Sequence, residues 1–171
     1  VGFPVQFDLL GTTAESADAL RYNQATGSAV LTSGLAEGDA YHLVTEVQKV
    51  IDPASLTDVG VASIDLPTID AAPDIVTTKA IEFAGTESSP AAQIEALRRA
   101  LADQGYLSHG RASDSVPSRA GHGADRVQDL LEAPVMVGDA EQYASTLALM
   151  IRGLGYPARV VMGFAPDIPA G

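Results

Sequence analysis

The side chains in this sequence that could bind a metal or an anion lie mostly between positions 105 and 130. His109, His122 and Asp125 have metal-ligating side chains, but their spacing matches no ligand motif and the surrounding run is rich in Gly and Ser. We therefore predict no metal and no cofactor. Three arginines form a basic patch there, namely Arg111, Arg119 and Arg126. The patch could bind a carboxylate-bearing peptide or cell-wall group, although a solvated loop is the simpler explanation.

A helix that begins near residue 139 carries the other candidate site. Asp139 is a favourable N-cap, and Gln142 follows at the spacing of a capping box, which satisfies free N–H groups of the first turn. The apolar positions that follow recur at helical period, and they are Tyr143, Leu147, Met150, Ile151 and Leu154. We expect one helix over residues 139–154 with this stripe facing a core.

The residues after this helix indicate a tight turn and a strand. Gly155 suits the left-handed conformation that ends helices, and Pro157 cannot continue one. Residues 158–164 are rich in strand-forming types. Because the turn is short, we expect the strand to return alongside the helix and to bury its apolar face against it.

Two segments of this region resemble the core motif of transglutaminase-like domains, which is G-x-C-x-x-(F/Y)-A followed by an apolar helix and L-G-(I/Y)-P-A-R-V-V-x-G-(F/Y). Residues 138–144 read GDAEQYA and residues 154–164 read LGYPARVVMGF. The similarity extends over residues 88–166. It implies an α+β, papain-like core in which a helix packs on an antiparallel sheet, and it places the family's nucleophilic cysteine at Ala140.

The order of the preceding elements is also similar to the family. Ser89 as N-cap and Pro90 at the first helical position begin a helix that Gly105 ends. Its apolar positions are Ile94, Leu97 and Leu101. A second short helix is expected over residues 125–132, with Val127, Leu130 and Leu131 on its apolar side.

Ala140 removes the chemistry that the resemblance implies. A thiolate in the first turn would be stabilised by the field of the helix N-terminus, whereas an alanine methyl has no lone pair with which to attack an acyl group. The family's histidine and aspartate follow the strand over residues 158–164, and no residue of this sequence matches either partner. We expect Ala140 on the floor of a surface groove, with the candidate binding residues Asp139, Glu141, Gln142 and Tyr143 around it.

Three functions stay open at this point. The first is a non-enzymatic, extracytoplasmic binding or structural module of a bacterial envelope protein, with a peptide or cell-wall ligand. The second is a thiol-dependent transglutaminase or peptidase whose cysteine was changed to Ala140. The third is an interaction domain unrelated to the family. The natural codon for residue 140 separates the first two.

Composition limits the function further. The 171 residues are 46% hydrophobic and carry a net charge of −12, which suits a globular core and opposes binding to nucleic acid or to anionic membranes. The chain contains no cysteine, which excludes disulfides and thiolate metal sites. No apolar stretch approaches the roughly 20 residues that cross a bilayer. We expect a soluble piece of a protein that is membrane-anchored at full length.

Three regions are predicted along the chain. Residues 1–64 are a β-rich N-terminal region, in which residues 19–22 and 28–31 flank a turn at Thr26 and Gly27. A further half-buried strand is expected over residues 41–47. Residues 65–74 contain two prolines among acidic residues and read as a linker. Residues 75–171 form the transglutaminase-like core, which ends before the family's histidine and aspartate.

Overall fold

The computed structural model of the protein is an α+β structure, as the sequence predicts. It describes residues 4–10, 18–23, 28–34, 37–45, 51–56, 58–110 and 118–162. The chain divides into two compact units, Val1–Ile51 and Asp52–Gly171. This division falls ahead of the acidic, proline-containing segment, and the domain limits expected from the sequence stay predictions.

The first unit contains four described strands in two antiparallel pairs. The strands are β1 (Pro4–Leu10), β2 (Leu20–Asn23), β3 (Ser28–Leu31) and β4 (Ala40–Thr45). β1 pairs with β4, and β2 pairs with β3. The last three match predicted strands, whereas β1 was not predicted. The turn at Thr26 and Gly27, and Val47 of the third predicted strand, lie outside the described residues. The sequence predicts a half-buried strand with Tyr41 on its apolar side, but Tyr41 is 60% exposed in β4, so its predicted burial is wrong.

The second unit is mainly helical. In chain order it contains a 3₁₀ turn (Pro53–Leu56), α1 (Asp74–Ala84), α2 (Pro90–Gln104), β5 (Gly105–Leu107), α3 (Ala124–Glu132), β6 (Met136–Gly138) and α4 (Ala140–Gly153). Residues 58–73 have no regular secondary structure. Within the described ranges, no helix combines the length and apolarity of a membrane-spanning segment.

The helix boundaries follow local signals in the sequence. At the start of α2 the Ser89 hydroxyl accepts a hydrogen bond from the Ala92 N–H at 3.2 Å, and Pro90 occupies the first helical position. α2 then gives way to β5 at Gly105. Gly155 has a φ of +86°, the left-handed conformation expected after α4. These predicted boundaries are confirmed.

The core of the second unit joins all four helices to β6. Its buried members are Val76, Ala80, Leu97, Leu101, Val127, Leu130, Leu131, Met136, Met150 and Ile151. Tyr143, Leu147 and Leu154 are partly buried and pack against this cluster. The predicted apolar stripe of α4 is therefore confirmed. Each large aliphatic side chain that is removed from water contributes about 1.5–3 kcal/mol to the stability of the unit.

The strands beside α4 form a parallel pair, whereas an antiparallel sheet was expected from the resemblance. Gly105 pairs with Met136, and Leu107 pairs with Gly138. The Ser108 N–H extends the ladder by donating to the Gly138 carbonyl at 2.8 Å. The pair is parallel because the chain returns through α3 between the two strands, and parallel strands require such a crossover.

The strand predicted over residues 158–164 is not present in its described part. Residues 158–162 have no strand assignment, and Val160, Val161 and Met162 are exposed. Strand-forming residue types do not suffice, because a strand also needs a neighbour to satisfy its backbone groups. No described strand pairs with these residues. α4 packs on the helices and β6 instead. Residues 163 and 164 lie outside the described ranges.

Candidate functional site

The start of α4 is fixed by the predicted capping box. The Asp139 carboxylate accepts a hydrogen bond from the Gln142 N–H at 3.1 Å. In return, the Gln142 side-chain oxygen accepts one from the Asp139 N–H, also at 3.1 Å. Two N–H groups at the end of the helix are thus satisfied by side chains. The helix begins at Ala140 because of these two bonds.

The Gln142 side chain is also the centre of a buried polar cluster. It is 1% exposed, and its Nε2 donates to the Gly121 carbonyl at 2.9 Å and to the Arg119 carbonyl. Its Oε1 accepts from Arg126 at 2.9 Å as well as from Asp139. All donors and acceptors of the amide are used. Gln142 was predicted to surround a groove, but it holds the segment before α3 against α4.

Arg126 is buried in the same cluster and does not contribute to an exposed basic patch. Its exposed fraction is 6%. Besides Gln142, its guanidinium donates to the Val137 carbonyl at 2.7 Å and to the Arg119 carbonyl at 2.9 Å. A buried charge needs such partners, because an unsatisfied one would be strongly destabilising. Arg126 therefore joins α3, β6 and α4.

Gly138, immediately before the capping box, leaves room for this cluster. A Cβ at this position would lie 2.9 Å from Gln142 Oε1 and 3.3 Å from the Leu130 side chain. Even an alanine at position 138 would crowd the Gln142 amide oxygen, which accepts hydrogen bonds from Arg126 and from the Asp139 N–H. The glycine at the head of the GDAEQYA segment thus has a packing role as well as a place in the motif.

Tyr143 fixes the other side of the first turn. Its hydroxyl donates to the Met136 carbonyl at 2.7 Å. Burial raises the pKa of the Tyr143 hydroxyl, and a hydrogen bond with the Tyr106 backbone opposes the rise. Gly105 allows the close approach, because a Cβ at 105 would lie 2.5 Å from the Tyr143 hydroxyl oxygen. Tyr143 therefore ties α4 to both strands of the parallel pair.

An apolar groove of about 310 Å³ runs along one face of α4. Its lining residues are Arg98, Leu101, Ala102, Gly105, Leu107, Tyr143, Ala144 and Leu147. Ala140 was predicted on the floor of a groove, but it is exposed and does not line this one. It shares the helix face of Ala144 at a spacing of four residues. One helical turn, a rise of about 6 Å over four residues, separates the two. The groove and Ala140 thus lie along the same side of α4.

Glu141 directly follows Ala140 in α4, and it contacts a histidine. The His122 Nδ1 atom is within hydrogen-bond distance of Glu141 Oε1. The side chains are 60% and 49% exposed, respectively. His109 is exposed. Among the described residues, no group of three or more His, Cys, Asp or Glu side chains could hold a metal ion.

The arginines of the predicted patch have separate surroundings. Arg119 pairs with Asp125 at 3.3 Å and with Asp129, and these carboxylates raise the pKa of its guanidinium. Arg126 is buried, and Arg111 lies outside the described residues.

The sequence did not predict the structural role of Arg126 or the groove-lining residues of α2 and β5. The burial of Arg126 could have been inferred from its position. It lies beside Val127 and four residues before Leu130, on the apolar side of α3.

Comparison with known proteins gives one match. The family model of the transglutaminase-like superfamily matches residues 77–169, which is more than half of the chain. No match was found among curated proteins or among solved structures. The matched residues include the capping box, the buried Gln142 cluster and the groove along α4. The chain therefore belongs to the transglutaminase-like superfamily.

Proposed function

We propose that this domain is a non-catalytic member of its superfamily that binds a peptide or a cell-wall peptide group. The observation that carries the proposal is Ala140 at the first residue of α4, in a chain without cysteine. The motif puts the nucleophile at this position, and a methyl group cannot form an acyl intermediate. We extend the proposal to a papain-like arrangement of the core and to the outer face of a bacterial envelope protein, which the resemblance suggests.

The surroundings of Ala140 support retention of a binding surface. The capping box, the satisfied Gln142 amide and the Tyr143 hydroxyl hold the start of α4 in one position. The groove beside them is mostly apolar and has the size expected for a side chain or a short peptide segment. A small exposed alanine, Ala144, leaves the groove open.

Two measurements on the purified chain test this proposal. The first measures amine incorporation into a glutamine-containing protein and hydrolysis of peptides, and we expect no activity above that of heat-treated protein. The second is a ¹H–¹⁵N NMR titration with two probes, a short glutamine-containing peptide and a peptidoglycan stem peptide. We expect one of them to shift signals of groove residues, and Ala144→Trp to abolish the shifts by filling the groove.

Gln128→Trp is the matched control, because Gln128 is an exposed residue in the interior of α3 and does not line the groove. This variant should retain the shifts. Turnover by the unsubstituted chain would contradict the non-catalytic assignment. Binding that survives Ala144→Trp, or no response to either probe, would contradict the assignment of the groove as the ligand site.

A further inference from the structure

The two strands of the parallel pair beside α4 differ in exposure. β6 is buried at all three residues, and the Val137 carbonyl accepts a hydrogen bond from Arg126 at 2.7 Å. In β5, by contrast, Tyr106 is 58% exposed and Leu107 is 64% exposed. Among the described strands, β5 pairs only with β6. The other edge of β5, its outer edge, therefore has no described strand beside it.

The register of the pair identifies the backbone groups on the outer edge. Leu107 lies opposite Gly138, and the next residue, Ser108, donates its N–H to the Gly138 carbonyl at 2.8 Å. Successive residues of a strand direct their backbone groups to alternate sides. Ser108 and Tyr106 therefore direct their N–H and C=O groups towards β6, whereas those of Gly105 and Leu107 point to the outer edge. Such groups can bond to an added strand.

The apolar groove lies beside the same two residues. Gly105 and Leu107 line it together with Tyr143, Ala144 and Leu147 of α4. A Cβ at Gly105 would lie against the Tyr143 hydroxyl, so the face of β5 that carries the Leu107 side chain is turned towards α4. A strand that paired with the outer edge would direct every second side chain to this face.

We propose that an extended peptide of L-residues adds to the outer edge of β5 and inserts an apolar side chain into the groove. This inference deepens the proposed function and rests on it, because it specifies which peptide the groove binds and how. The N–H and C=O groups of Gly105 and Leu107 suit a ligand with a regularly spaced backbone of donors and acceptors. In strand addition, these main-chain bonds give affinity and the adjoining pocket gives specificity.

The same geometry favours a protein segment over a cell-wall peptide. A regular strand alternates its side chains between two faces, which requires residues of one handedness. Peptidoglycan stem peptides mix L- and D-residues and do not meet this requirement. The groove also favours an uncharged side chain, because Arg98, the charged residue of its lining, is already paired with Glu95 at 2.7 Å.

N-methylated peptides test the hydrogen-bond pattern. The probe is a capped L-peptide of valine, threonine, glutamine, leucine, threonine and valine, and its affinity for the purified chain is measured by ¹H–¹⁵N NMR titration. One derivative is N-methylated at its second and fourth residues, and the other at its third and fifth. Each loses two N–H groups, but from opposite edges of the extended peptide. We expect one derivative to bind at least about tenfold more weakly than the other.

Leu107→Pro tests the protein side of the same bonds. It removes the N–H that faces the outer edge, and edge strands tolerate a proline whose missing N–H points away from the ladder. Leu107→Ala is the matched control, because it loses the same side chain but keeps the N–H. We expect Leu107→Pro to weaken binding of the unmethylated peptide about fivefold more than Leu107→Ala does. Circular dichroism melting verifies folding, and the comparison of the two derivatives needs no variant.

Three results would overturn this inference and leave the proposed function intact. The first is equal affinity of the two N-methylated derivatives. The second is binding of the peptidoglycan stem peptide in place of the L-peptide. The third is a dimer in sedimentation equilibrium that Leu107→Pro dissociates, because a second copy of the chain would then occupy the outer edge. Turnover by the unsubstituted chain, in contrast, would overturn only the non-catalytic assignment.

Discussion

Gln142 shows how a single side chain can hold the candidate site together. Its amide joins the first turn of α4 to the segment before α3 and to the buried Arg126 guanidinium. Glutamine is suited to this role because it donates two hydrogen bonds and accepts two without carrying a charge. Replacing it removes a partner from the buried Arg126 guanidinium and from two carbonyls whose hydrogen bonds are partly buried.

We predict that Gln142→Ala destabilises the protein by about 2–4 kcal/mol, because it leaves the Arg126 guanidinium and two carbonyls short of hydrogen bonds. Urea unfolding followed by circular dichroism measures the change. Gln128→Ala is the control, since Gln128 is exposed and, among the described residues, its amide donates to Glu132 at 3.0 Å. That change should stay within about 0.5 kcal/mol. Equal effects of the two substitutions would show that the buried cluster contributes little.

At the scale of elements, the junction between α2 and β5 depends on a close approach of the Tyr143 side chain to the Gly105 backbone. Gly105 ends α2, begins β5 and lies against the Tyr143 hydroxyl. A side chain at this point would push α4 away from the parallel pair. The same junction forms part of the wall of the groove.

We expect Gly105→Ala to lower the free energy of unfolding by about 1–3 kcal/mol, because the added Cβ overlaps the Tyr143 hydroxyl and the Leu101 carbonyl. Gly60→Ala is the matched control, since a Cβ at position 60 meets nothing within 4 Å. That change should be neutral or slightly stabilising through the unfolded chain. Thermal unfolding of both variants makes the comparison, and a Gly105→Ala protein as stable as the parent would refute the packing argument.

The elements that the sequence predicts well are those with local signals. α2 and α4 begin where Ser89 and Asp139 can cap them, and their apolar periodicity matches the buried faces. β5 and β6 have three residues each, which is too short for a periodic pattern, and only their long-range pairing creates them. Residues 158–162 show the opposite case. Their residue types favour a strand, but no described strand pairs with them.

The geometry of the candidate site could be predicted only in part, because some of its contacts join residues that are far apart in the sequence. Asp139 and Gln142 lie three residues apart, so their mutual bonds could be foreseen from spacing. The contact of His122 with Glu141 spans 19 residues and depends on how the preceding segment folds back. No spacing rule connects such positions. The burial of Arg126 has the same origin.

At the scale of the whole molecule, the dominant property is the net charge of −12. Like charges repel in the folded state more than in the expanded unfolded chain, so the excess acid opposes compactness. Raising the salt concentration from about 0.01 M to 1 M shortens the screening length from roughly 30 Å to 3 Å. Ionic strength should therefore affect the stability of the protein directly.

We predict that the thermal unfolding midpoint rises as sodium chloride is increased over this range. A variant with Asp58→Asn, Asp65→Asn and Asp70→Asn should rise less, because it has three fewer negative charges in an exposed part of the chain. Differential scanning calorimetry at several salt concentrations compares the two. A midpoint that falls with salt in the parent would show that specific ion pairs outweigh the general repulsion.

The capping box of α4 has a consequence for local motion. Helix ends usually fray, so their first amide protons exchange quickly with solvent deuterium. In α4, the amides of Asp139 and Gln142 are bonded to side chains, and one of those side chains is locked in a buried cluster. Exchange there must await an opening that breaks the cluster. α1 begins after Pro73 with no side-chain cap, so its first amides lack this protection. We therefore expect the Asp139 and Gln142 amides to exchange more slowly than the first amides of α1.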